Sequence, residues 1–115
     1  MAFSEFEIKR YEKALKTFLE KRRPPPHIRS QLDLGYRIEG QSIELFEIRP
    51  RWDQPDIIME QPFAKTTYVK SRKVWRNYWQ RADMKWHAYE PLPETDSLDT
   101  FLDTVDEDAH GCFFG

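Results

Sequence analysis

The sequence predicts an α+β fold: an N-terminal helix, an antiparallel sheet of four to five strands, and a short C-terminal helix. Three observations predict it. Apolar residues recur at three or four places over residues 4–22 and again over 96–106, which is the helical period. Over residues 31–90, β-branched and aromatic residues gather in short runs bounded by turn signals. Pro24-Pro25-Pro26 separates the first helical stretch from the strands. The 115 residues match the commonest domain size, so a single domain over 1–115 is expected.

Ser4 is a good N-cap for the first helix, and Glu7 completes a capping box. Phe3 and Ile8 have the spacing of a hydrophobic staple. Ile8, Tyr11, Leu15 and Phe18 form one apolar stripe, with Ala14 and Leu19 beside it. Lys21, Arg22 and Arg23 complement the negative end of the helix. The triple proline then forces an extended connector.

Leu32, Leu34, Tyr36 and Ile38 alternate with polar residues or glycine as in a half-buried strand. Glu39-Gly40-Gln41 supplies a hairpin turn into a second strand, Ser42 to Arg49. Its two faces are both apolar, with Ile43 and Leu45 on one and Phe46 and Ile48 on the other, which places it centrally in the sheet. Residues 50–62 hold three prolines and read as a loop, part of which should pack down because of Trp52, Ile57, Ile58 and Met59. Ala64 to Lys70, Val74 to Arg81 and Met84 to Glu90 read as the remaining strands. A continuous helix over 64–80 is the competing assignment, but its apolar stripe is poor. Trp75 and Trp79 share a face of the fourth strand, and Trp86 is expected to meet that face from the fifth. Asp96 or Ser97 caps the second helix, whose apolar face is Leu98, Phe101, Leu102 and Val105. The segment 107–115 is expected as a docked tail, because adjacent Phe113 and Phe114 need cover from the body or from another subunit.

Composition narrows the function classes. No run of about 18 apolar residues spans a membrane, and no apolar leader follows Met1. The single cysteine, Cys112, forms no internal disulfide and fits a reducing compartment. Four glycines leave little for a nucleotide-cradling loop, and no cofactor is expected. The charge is uneven: residues 1–90 carry +5 and residues 91–115 carry −7, with no Lys or Arg in the latter. A tail folding back would neutralise the basic body.

Several segments are distinctive together. They are Arg22-Arg23-Pro24-Pro25-Pro26-His27-Ile28-Arg29, Leu34-Gly35-Tyr36-Arg37-Ile38-Glu39-Gly40 and Glu47-Ile48-Arg49-Pro50-Arg51-Trp52. Two more are Trp79-Gln80-Arg81-Ala82-Asp83-Met84-Lys85-Trp86-His87 and the stretch Asp106 to Gly115, which includes His110-Gly111-Cys112-Phe113-Phe114. Over nearly its whole length the chain resembles a family of small bacterial proteins, domain of unknown function 3024. The resemblance implies a bacterial, cytoplasmic, stand-alone protein and carries no activity or catalytic residue.

Three constellations could bear chemistry. From Lys65 to Lys85, seven basic residues face one acid, Asp83, and interleave with aromatics. Cations for phosphates with rings for bases is the composition of single-strand binders. Lys70, Arg72, Lys73 and Arg76 are the expected charges, with Trp75 and Tyr78 as stacking groups. Core packing of Trp75, Trp79 and Trp86 is the competing account, favoured by the large gain from burying tryptophan. Asp33, Glu44 and Glu47 form a nuclease-like carboxylate set for Mg²⁺, although Arg49 stands where a lysine base is usual. His110 and Cys112 offer zinc ligands without a second pair. The leading expectation is a non-enzymatic interaction module contacting nucleic acid or an acidic protein partner. A metal-dependent nuclease or phosphodiesterase and a structural homo-oligomer, in which Phe113 and Phe114 cap a neighbour, are the alternatives.

Overall fold

A computed structural model describes residues 3–114. Helix α1 runs from Glu5 to Arg22 and starts as the sequence dictates. The Ser4 hydroxyl accepts from the Glu7 N–H at 3.2 Å, and the Glu7 carboxylate accepts from the Ser4 N–H at 2.9 Å. Strands β1 (Asp33–Glu39), β2 (Ser42–Pro50), β3 (Ile58–Val69), β4 (Val74–Gln80) and β5 (Trp86–Ala88) form an antiparallel meander. A short β6 (Glu94–Thr95) pairs with β4 beside β5. Helix α2 (Leu98–Glu107) closes the order, capped by Ser97, whose hydroxyl accepts from the Thr100 N–H.

Both helices pack on one sheet face. Tyr11, Leu15 and Phe18 of α1 and Phe101, Leu102 and Val105 of α2 meet Ile43, Leu45, Ala64 and Trp75 in a single core. Gly40, with φ of 61°, supplies the first central residue of the two-residue turn that sets Glu39 opposite Ser42. In β3 the pairing slips by one residue opposite Leu45 and Phe46, leaving Phe63 as the extra residue. The bulge lets two consecutive side chains, Phe63 and Ala64, both join the core.

Four expectations are corrected. The stretch 50–62 is not all loop, because β3 begins at Ile58 and pairs with β2 from its first residue. Trp52, Ile57, Ile58 and Met59 do not pack down and are all exposed. The fifth strand is short because Met84 adopts a left-handed conformation (φ 65°) that closes the turn before Trp86. Cross-strand pairing then puts Trp86 opposite Gln80 and His87 opposite Trp79. Trp86 therefore lies on the face away from Trp75 and Trp79.

The tail docks onto its own chain. Asp108, left-handed at the end of α2, accepts from the N–H groups of Phe113 at 3.0 Å and Phe114 at 2.9 Å. Phe113 packs on Tyr89, and Phe114 packs on Phe63 beneath the Arg22 guanidinium. Gly115, the last residue of the expected docked tail, lies outside the described residues, as do Met1 and Ala2. The acidic segment folds back in part: Asp106 pairs with Lys21 and Arg22, and Glu94 pairs with Arg72 and Arg76. Among the described residues no helix is long and apolar enough to cross a membrane.

Candidate functional site

Among the described residues, the meander leaves one sheet face without a helix. Alternation along β4 sends Trp75, Asn77 and Trp79 toward the helices and Arg76, Tyr78 and Gln80 to the open side. Lys65 on β3 stands opposite Tyr78, and Trp86 follows on β5. The Lys65 Nζ lies 5.2 Å from the Tyr78 ring centre and 5.0 Å from that of Trp86. Both rings are half-buried, so each presents an edge or face to solvent beside an ammonium. The ammonium lies over one face of each ring and holds both in place.

The residues expected for binding separate into four groups. Trp75 is 3% exposed and is packed by Phe3, Tyr11 and Tyr68, so it cannot stack on a ligand without leaving the core. Tyr78 sits on the open face, as a stacking group requires. Arg72 grips Glu94 through two hydrogen bonds at 2.7 and 3.0 Å, and Arg76 approaches the same carboxylate at 3.6 Å. Their charge is thus half compensated, two guanidiniums against one carboxylate. Lys70 and Lys73 are exposed at the β3–β4 turn, where Lys73 takes φ of 54°. Among the described residues, Lys65, Lys70, Lys73 and Lys85 form no ion pair. Lys65 and Trp86 were legible as parts of the basic aromatic stretch, but only the register shows that they join Tyr78.

The carboxylate set does not assemble. Asp33 is held by Arg23 at 2.8 and 2.6 Å, Glu44 lies 3.8 Å from Arg37, and Glu47 accepts from Arg49 at 2.7 Å. Glu44 stands opposite Arg37 and Glu47 opposite Leu34, which point to opposite faces of β1. Three carboxylates on one Mg²⁺ must converge, and these do not. The Asp33 carboxyl is held below its ordinary range by the Arg23 guanidinium, which outweighs the opposing effect of burial, with a lesser pull from the Leu34 N–H. Among the described residues, no three His, Cys, Asp or Glu side chains are placed to hold a metal.

A second concavity, about 380 Å³, lies where β4 ends beside β3, lined by Gln61, Gln80, Arg81, Met84 and Cys112 among others. The Gln80 Oε1 is buried there without a hydrogen-bond partner among the described residues. Burial pushes the Cys112 thiol up, and Asp108 adds to the rise, so the thiol is kept from its nucleophilic form. Its nearest polar contact is the His110 carbonyl, to which the thiol donates at 3.9 Å, and the two side chains form no ligand pair.

No curated protein and no solved structure matches the chain. The family described as Domain of unknown function (DUF3024) matches residues 3–115. That match covers essentially the whole chain, and the chain belongs to this family.

Proposed function

We propose that the protein is a non-catalytic binding module and that its open sheet face takes a single-stranded nucleic acid. The observation that carries this reading is the Tyr78–Lys65–Trp86 row, two aromatic rings flanking one ammonium on a face without a helix. Bases stack on exposed rings whatever their sequence, while cations follow the backbone. Lys70 and Lys73 are exposed at the β3–β4 turn beyond the row and form no ion pair among the described residues, and Lys73 stands on the helix side beside Tyr11, Trp75 and Asp96. The guanidiniums of Arg72 and Arg76, committed to Glu94, contribute less.

Anisotropy of labelled ten-nucleotide DNA and RNA, titrated with the protein at two salt concentrations, tests the reading. An acidic peptide serves as the second ligand class. Saturable binding of the single strands that weakens with salt is expected, because phosphate contacts release counterions. Trp86→Ala should weaken it about tenfold, the worth of one stacked base. Binding of the acidic peptide alone would move the ligand class to protein, and no binding of either would overturn the assignment of this face.

A further inference from the structure

The β2–β3 hairpin outruns the rest of the sheet. β1 pairs with β2 only as far as Ile48, and β4 pairs with β3 only from Ala64. Beyond those points β2 and β3 pair only with each other, through Pro50 and Ile58, and form a projecting arm. The Arg51 N–H donates to the Ile57 carbonyl at 2.9 Å. Ladder alternation then assigns Arg49 with Met59, and Glu47 with Gln61, as the bonded pairs. Ile58 and Glu60 consequently direct their main-chain groups away from β2, to an edge that no strand occupies among the described residues. Pro50 and Pro62 fall at the same kind of outward position, where a missing N–H leaves the ladder intact.

The arm and the turn at its tip also gather exposed apolar side chains. Trp52 is 94% exposed, Ile58 57%, Met59 41% and Ile57 39%. A two-stranded ribbon carrying such side chains in water is marginal by itself. We propose that the arm is a self-association surface, in which the β3 edges of two copies pair antiparallel about a two-fold axis at Met59. Ile58 of each copy then faces Glu60 of the other, and the outward main-chain groups of both residues are satisfied.

Three features select a second copy over another occupant. Arg49 pairs with Glu47 and Arg51 with Asp53 inside the arm, which leaves no free positive charge for a polyanion and little net field against a second copy. The free edge is only a few residues long, bounded by Pro62 and by Met84, which touches Gln61. So short an edge gives a foreign strand little main-chain pairing, whereas a two-fold axis makes every contact twice. Covering one tryptophan removes about 200 Å² from water, and with three more apolar side chains per copy two arms approach the roughly 1,200 Å² of a stable pair. In the paired sheet both open faces lie on the same side.

Sedimentation equilibrium of the full chain across a wide concentration range tests the proposal. The expected species is a dimer, twice the 13.9 kDa chain mass. Met59→Lys sets two ammoniums across the axis, and Trp52→Ala strips the tip. Each should raise the dimer dissociation constant about tenfold or more while the thermal melt of the monomer is kept. Trp52 is too exposed for its loss to unfold the chain, so that variant decides if Met59→Lys does not fold. A monomer at every concentration would overturn the proposal, and so would a dimer that neither variant weakens.

Discussion

Asp108 and Phe114 are joined by a hydrogen bond of 2.9 Å from the Phe114 N–H to the Asp108 carboxylate, and the same carboxylate accepts from Phe113. One side chain thus turns the chain at the end of α2 and lays two aromatics back on the body. Asp108→Ala removes both acceptors and should destabilise the fold by about 2 kcal/mol, since main-chain bonds to a charged group are among the stronger ones. Asp108→Asn keeps one acceptor oxygen and should lose less. Urea denaturation gives the free energies. Limited proteolysis should cut the alanine variant first after residue 108, and equal cutting of wild type and variant would refute the clamp.

Asn77 ties the loop before α2 to the sheet. Its side chain donates to the Leu92 carbonyl at 3.0 Å and accepts from the Thr66 hydroxyl at 2.9 Å. Its main chain donates to Pro93 and accepts from Tyr89, both at 2.9 Å. At 1% exposure it has no water to replace a lost partner. Asn77→Leu keeps the volume but strands the Leu92 carbonyl, while the Thr66 hydroxyl keeps the Arg76 carbonyl as acceptor at 3.1 Å. A loss of about 2 kcal/mol is expected from the unpaired Leu92 carbonyl, and an unchanged urea denaturation midpoint would show that the tie contributes nothing.

Local chemistry made the helices and the first hairpin legible. Ser4 with Glu7, Ser97 with its apolar stripe, and Gly40 between alternating runs each act within one or two turns of chain, so spacing alone reveals them. The β3 start was hidden because Pro55 and Pro62 read as breakers, while Pro62 is tolerated where its missing N–H faces an open edge. Trp86 was assigned to the wrong face because register depends on the turn, and Met84 in a left-handed conformation set that turn. The candidate row was half visible: Tyr78 was named from composition, whereas Lys65 and Trp86 became its neighbours only through pairing across three strands. Compensation of Arg72 and Arg76 by Glu94 joins residues about twenty apart and had no local signal.

Arg23 and Asp33 close the proline connector by a two-point pair, and this gives a pH dependence with a definite sign. The Asp33 carboxyl titrates below its ordinary range in the folded chain, chiefly because of the Arg23 guanidinium. Its contribution is therefore fully present above the unfolded carboxylate value of about 3.9. It is lost as the pH falls through the lower folded value. Solvent screening at the partly exposed arginine keeps the pair below about 1 kcal/mol. Asp33→Asn should lower stability at pH 7 by that amount and flatten the acid limb of the stability curve. Identical acid limbs in calorimetric melts of the two proteins would show that the pair contributes nothing.

The two tryptophans on opposite faces should separate stability from binding. Trp75, ringed by Phe3, Tyr11 and Tyr68, fills the core, so Trp75→Ala should cost about 3–5 kcal/mol through the cavity it leaves. Trp86 rests on Lys65 at the open face, so Trp86→Ala should change the denaturation midpoint little and weaken single-strand binding about tenfold. Emission reports the same division without a label: ligand should quench Trp86 and leave the Trp75 signal, so quenching disappears in Trp86→Ala. If quenching survives that change, the ligand lies elsewhere on the molecule. If Trp86→Ala instead melts the fold as Trp75→Ala does, the open face is a structural surface and the row has no claim to a ligand.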